Sequence, residues 1–204
     1  MITVRVDDHG FGRRLPILLA KLQRPAALLA VLGRDANNQL KTHFRHKDRT
    51  EPNKLGGNRQ HFWRAVTDSV HAPRVSAKGD TVLIAITHPA IAQKVFGGLI
   101  RPKRVKYLTI PVSPEAYGRT ARTFEAEEGV KLVALRVGKG AGRTLVLASL
   151  RGGGIQVEYL LRSSVKQAPD ADALPDIGAM SAALLRRAEH YVARILAQAT
   201  GQST

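Results

Sequence analysis

Cysteine is absent from the 204 residues. Thiolate catalysis, disulfide staples, iron–sulfur clusters and cysteine-ligated zinc are excluded with it. Aromatic residues make up only 5% of the chain, and a single-strand binder needs more stacking platforms than that. Lys21, Gln23 and Arg24 interrupt the greasiest long segment, residues 15–32, whereas a membrane-spanning helix needs about 20 apolar residues in a row. Residues 1–8 carry two acids and no apolar block, so no secretion leader is expected. No long helical pattern pairs a basic face with exposed aromatics, so a membrane partner is not expected either. The most telling shortage is of acid. Sixteen Asp and Glu face 32 Lys and Arg, a net charge of +16. Such a surplus calls for an anionic partner, and nucleic acid and an acidic protein surface are the two open choices.

The surplus is unevenly spread. Residues 1–76 hold 14 bases and 6 acids, residues 77–122 hold 8 and 2, residues 123–168 hold 7 and 4, and residues 169–204 hold 3 and 4. The densest run is Arg101, Lys103, Arg104 and Lys106, with no acid between Asp80 and Glu115. Its alternation fits an extended strand with Arg101 and Lys103 on one face. The neighbouring Pro102 and the Gly97–Gly98 pair favour an exposed arm or loop over a compact groove.

The apolar fraction, 44%, is enough for a core. Residues 2–6 alternate as a short strand. Residues 15–22 have leucines at helical spacing. A second helix starts near Pro25, a favourable first-turn position, and runs to about Phe44. Its stripe is Leu28, Leu29, Leu32, Ala36, Leu40 and Phe44. Gly33 inside that helix marks close packing or a bend. Residues 48–59 read as a polar loop, and Phe62, Trp63, Val66 and Val70 resume a helix. Trp63 is expected to pack on the Leu28-to-Phe44 stripe, with Phe62 flanking it. Residues 75–78 and 81–87 form a strand pair turned at Gly79 and Asp80. Residues 89–96 are a short helix or turn, residues 99–111 are extended, and residues 114–122 are a short helical or turn segment. Residues 130–137, 144–150 and 155–161 read as a three-stranded antiparallel meander. Residues 169–175 form a linker, and residues 177–200 a terminal helix. Helices, then strands, then a helix, without strand–helix alternation, make an α+β fold: N-terminal helices, an antiparallel sheet or meander with extended loops, and a C-terminal helix.

Chemical signals are weak. The segment Gly138-Lys139-Gly140-Ala141-Gly142-Arg143-Thr144 imitates a phosphate-binding loop, but it precedes a β-branched run rather than a helix, so it reads as a hairpin turn. His43 and His46 share a helix face only if the helix reaches His46. Neither has the His-Glu-x-x-His spacing of a zinc site. Glu125, Glu127 and Glu128 are the acid-rich patch and read as a solvated turn, and no serine sits in a Gly-x-Ser-x-Gly elbow. No catalytic residue, cofactor or metal is expected. The chain reads as a structural or assembly protein rather than an enzyme.

Two segments go further. The first is His43-Phe44-Arg45 followed by Pro52-Asn53-Lys54-Leu55-Gly56-Gly57-Asn58-Arg59-Gln60-His61-Phe62-Trp63. The second is Phe96-Gly97-Gly98-Leu99-Ile100-Arg101-Pro102-Lys103, then Leu108-Thr109-Ile110-Pro111-Val112 and Glu115-Ala116-Tyr117-Gly118. In this order they resemble the phage virion-morphogenesis family, the tail-completion proteins of Mu-like phages and their prophage relatives. The resemblance covers roughly residues 2–122 well and the remainder loosely. Where many relatives have a tyrosine–alanine pair and a histidine before the double glycine, this chain has His88-Pro89-Ala90-Ile91.

The resemblance implies a non-enzymatic subunit of the neck or upper tail end, acting in tail completion and head–tail joining. The expected setting is the bacterial host cytoplasm during assembly and then the virion. It implies a homo-oligomeric ring, a hexamer if it matches a tail tube, with other tail or neck proteins as partners and weak non-specific DNA contact. The matched structural positions are Asn53, Lys54, Gly56, Gly57, Phe62, Trp63, Gly97, Gly98, Pro102, Lys103 and Pro111. Arg101, Lys103, Arg104 and Lys106 are the expected interface or DNA-facing arm. Residues 1–168 are expected to form the tail-completion-like domain, with residues 169–204 a linker and helix packed on it. The alternative is a basic accessory nucleic-acid-binding protein.

Overall fold

The computed structural model describes residues 2–6, 25–51, 55, 60–138 and 143–199. The expected helix over residues 15–22 and the turn residues 139–142 lie outside them. The fold is mixed α+β, with helices towards both ends of the chain and antiparallel sheets. It divides into two compact units. The first combines Met1–Thr50, Phe62–Phe96 and Pro169–Thr204, and the second combines Glu51–His61 and Gly97–Ala168.

The first unit is built on helix α1 (Pro25–Thr50). Leu28, Leu32, Ala36, Leu40 and Phe44 are all buried and recur every three or four residues, so one stripe faces the core. Helix α2 (Phe62–Asp68) adds Trp63 and Val66 to that core. Strands β1 (Ile2–Val6), β2 (Arg74–Val75) and β3 (Val82–Ile86) form an antiparallel sheet in the order β1-β3-β2. Val82, Ile84 and Ile86 point from alternate positions of β3 into the same core. The turn between β2 and β3 is tied by Ser76, which donates to Asp80 Oδ1 at 2.7 Å and accepts from the Asp80 and Thr81 amides. Gly33 is where α1 crosses this sheet. A Cβ there would lie 2.7 Å from Val82 Cγ1 and 3.0 Å from Pro73 Cβ, so only glycine lets the helix approach this closely.

Helix α3 (Ile91–Phe96) buries Ile91. Helix α5 (Ile177–Ala199) starts at Asp176, whose carboxylate accepts from the Ala179 amide at 2.6 Å. It lays Met180, Leu184 and Ala188 into the core beside α1.

The second unit holds a four-stranded antiparallel sheet, ordered β5-β8-β7-β6, from β5 (Leu108–Pro111), β6 (Val133–Val137), β7 (Thr144–Arg151) and β8 (Gly154–Arg162). A separate ribbon pairs β4 (Gly98–Ile100) with β9 (Val165–Gln167). Helix α4 (Ala121–Glu128) is capped by Thr120, whose hydroxyl accepts from the Thr123 amide, and ends at Gly129 in the left-handed region. It buries one large residue, Phe124, edge-on against Tyr159 with ring centroids 5.9 Å apart.

Three readings are corrected here. Helix α1 continues six residues past Phe44, to Thr50. Residues 99–111 are not extended throughout: residues 101–107 form an exposed loop, bent over 103–107, between β4 and β5, in keeping with the exposed arm or loop favoured for the basic run. Glu125, Glu127 and Glu128 sit on a capped helix rather than a turn.

Candidate functional site

His43, Phe44, Phe62 and Trp63, described residues of the first motif, meet in one aromatic cluster. Trp63 is 1% exposed. Its ring stacks on Phe44 at 5.8 Å and 11°, and meets Phe62 edge-on at 5.0 Å. Phe62 in turn packs edge-on against His88 at 4.9 Å, and Phe44 against His43 at 5.7 Å. Cations flank the ring system. Lys47 Nζ lies 4.7 Å from the Trp63 ring centroid, while Lys94 Nζ lies 5.4 Å from Phe62 and 5.8 Å from Trp63.

The extension of α1 beyond Phe44 is what brings Lys47 and Asp48 here. Asp48 Oδ1 accepts from the Arg64 amide at 3.1 Å, in the first turn of α2. Lys47 donates to Asp170 at 3.0 Å, and Asp170 donates its amide to the Lys94 carbonyl at 2.9 Å. His43 Nε2 donates to the Asp172 carbonyl at 2.9 Å. Burial alone would raise the Asp170 pKa, but the Lys47 hydrogen bond and charge outweigh it and hold the carboxyl below its ordinary value. The cluster therefore fastens residues 170–172 to α1 and α3. It is a structural clamp, with its polar groups engaged in holding the chain. Asn53, Lys54, Gly56 and Gly57 lie outside the described residues.

From Gly97 on, the second motif belongs to the second unit. Gly97 and Gly98 have φ of 65° and 120°, conformations that a β-branched residue strongly disfavours. They turn the chain into β4. Pro102 is half-buried, and Arg101, Lys103, Arg104 and Lys106 are all exposed, as is Val105 at 66%. Lys106 Nζ lies 5.6 Å from the Tyr107 ring. Pro111 ends β5, an edge strand of its sheet, where a missing N–H is tolerated.

The acid patch turns out to be an ion-pair network. Glu128 meets Arg119 at 2.6 Å and Arg151 at 3.0 Å, and Glu127 meets Arg119 at 3.1 Å. Hydrogen bonds from Arg119 and then Arg151 lower the Glu128 pKa. Glu125 accepts from the Leu132 amide at 2.8 Å. These carboxylates tie α4 to Arg119 just before it, to Leu132 just ahead of β6 and to Arg151 at the end of β7.

One buried acid escaped the sequence reading. Glu158 is fully buried in β8 and accepts hydrogen bonds from the Ser113 and Ser149 hydroxyls, the latter at 2.7 Å. The Ala116 amide donates to Ser113 Oγ at 3.1 Å, so the network also fixes the turn after β5. Beside it, burial and then the Glu158 charge raise the Tyr159 pKa. The Tyr159 hydroxyl donates to the Arg119 carbonyl at 3.2 Å.

His43 and His46 do lie on one helix, and no group of three or more metal-ligating side chains occurs among the described residues. No helix among those residues is long and apolar enough to cross a membrane. No known family, no curated protein and no solved structure matches the chain.

Proposed function

We propose that this chain is a structural subunit of the neck or upper tail end of a phage, acting in tail completion and head–tail joining and doing no chemistry of its own. The observation that carries the reading is the fate of the two motifs. Phe62 and Trp63 form the aromatic centre of one unit, and Gly97 and Gly98 make the positive-φ turn that leads through β4 to the exposed basic loop of the other. Phe44, Phe62, Trp63, Gly97 and Gly98 are engaged in packing and turning the chain.

The meander with its loops and the helical unit act together as one subunit, residues 1–168 forming the tail-completion-like body and residues 169–204 docking onto it. Subunits close into a homo-oligomeric ring, six if they match a tail tube, and contact other tail or neck proteins. Assembly takes place in the bacterial host cytoplasm, and the virion is the final location. The loop carrying Arg101, Lys103, Arg104 and Lys106 reaches a neighbour or faces the DNA path. A net charge of +16 disfavours self-association of free subunits, so the ring closes on its partner.

The accessory nucleic-acid-binding reading draws on the same exposed loop. Sedimentation of phage lysates separates the two. A tail subunit travels with purified tails after nuclease treatment, whereas a DNA-binding accessory leaves the particle fraction when the DNA is digested.

A further inference from the structure

Strand β6 ends its sheet, with β7 as its one neighbour. Among the described residues, no backbone hydrogen bond reaches its outer edge. It is exposed almost throughout, with Leu135 alone half-buried. The other edge strand, β5, is shorter, mostly half-buried, and ends in Pro111, which has no N–H to offer. Among the described residues of this sheet, the exposed large apolar side chains are Val133, Val137, Leu150 and Ile155. The register puts all four on one face. Val133 pairs with Ala148 and Val137 with Thr144, while Leu150, two residues beyond Ala148, pairs with Ile155. Leu147 pairs with Tyr159 on the opposite face, the one that meets Phe124 of α4. A solvated sheet face is ordinarily polar. Here its β6 margin is Val133, Leu135 and Val137, beside an open row of backbone donors and acceptors.

We infer that β6 is a docking edge, extended by an added β-strand from a partner protein whose strand carries acids at its ends. The backbone edge selects a polypeptide, because another extended chain offers donors and acceptors at the matching spacing. Val133, Leu135 and Val137 then gain apolar cover, which phosphates do not supply. Charge selects the kind of polypeptide. Residues 129–157 hold five bases, Lys131, Arg136, Lys139, Arg143 and Arg151, and no acid. Arg151 is engaged with Glu128, whereas Arg136 on β6 and Lys131 just before it are exposed. A second copy of this edge brings more bases and no acid to the pairing, and like charges set opposite on paired strands destabilise them. Carboxylates at the ends of a partner strand offset these bases instead. The inference rests on the reading of the chain as an assembly subunit for its protein partner, and names the edge that this partner takes.

The test is hydrogen–deuterium exchange of the full chain, titrated with a capped peptide that alternates valine and threonine between paired terminal aspartates. Its controls are the same peptide with proline at the centre, which removes a ladder hydrogen bond, and an oligothymidylate of equal charge. Residues 133–137 should gain protection with the first peptide and little with either control. Affinity should fall about fivefold or more in Val133→Thr/Val137→Thr, which keeps β-branching and removes apolar cover. It should fall about threefold or more in Lys131→Gln/Arg136→Gln, and change little in Arg101→Gln/Arg104→Gln, which removes the same charge elsewhere. No protection by the first peptide, no loss in the valine variant, or equal loss in the loop control overturns the proposal. So does an oligothymidylate that protects the same residues equally. Residues 133–137 fully protected in the dilute free chain would mean that its own chain covers the edge, and protection that rises with protein concentration alone would mean a second copy, and either overturns the proposal. If a variant melts early, the two peptides on wild type decide. Tail sedimentation of wild type is read separately, so a chain that travels with tails yet fails to take the peptide loses the docking edge alone.

Discussion

Phe44 and Trp63 stack almost parallel, with 5.8 Å between ring centroids and 11° between planes, although they belong to different helices. Both are buried. Through Lys47 over the Trp63 ring and Asp170 on Lys47, the stack is joined to the segment that leads into α5.

Trp63→Ala should destabilise the first unit by about 3–5 kcal/mol, the usual cost of deleting a buried large aromatic side chain. Phe62→Ala should cost less, since Phe62 is only partly buried. Chemical denaturation followed by circular dichroism checks both. A midpoint that barely moves in Trp63→Ala would contradict the packing described.

The clamp also predicts an acid response. Asp170 has its pKa lowered in the folded state, so it contributes stability above the ordinary aspartate value of about 3.9 and loses that contribution as pH falls through the lowered value. The thermal midpoint of wild type should drop in that window. Asp170→Asn should begin lower at neutral pH and show a shallower acid slope. Parallel slopes in the two proteins would show that Asp170 is not coupled to folding.

Gly97→Val and Gly98→Val each force a β-branched residue into a positive-φ conformation, at a cost of about 1–3 kcal/mol or more. Each variant should melt earlier than wild type. A melting temperature unchanged in both would mean that the turn has another accessible conformation.

Ser149→Ala should cost about 1–3 kcal/mol, because it removes one hydroxyl from a fully buried carboxyl group. Glu158→Leu paired with Ser113→Ala and Ser149→Ala should recover part of that loss, since the buried carboxyl group is gone and only the Ala116 amide, which donates to Ser113, loses its partner. Urea midpoints of the single and triple variants measure the difference, and a triple variant less stable than the sum of its parts would contradict the network.

Periodicity explains what was legible in the sequence. The α1 stripe, the β3 alternation and the α5 stripe repeat an apolar residue often enough to declare their period, and Gly33 stood out because it broke one. Helix α4 did not declare itself. It spans eight residues and buries one large side chain, so its signal lay in Thr120 and Gly129 at its ends. The continuation of α1 through Lys47 and Asp48 carries no apolar residue, and its support comes from Asp170 and Arg64, remote in sequence. Likewise Ser113 and Glu158 meet across 45 positions.

The central claim is tested most directly by electron microscopy of particles from a host whose phage genome lacks this chain, with and without the wild-type chain supplied in trans. The account predicts DNA-filled heads and unjoined tails with unfinished upper ends, and restoration of joined particles by the wild-type chain. Joined, infectious particles in the absence of the chain would contradict it.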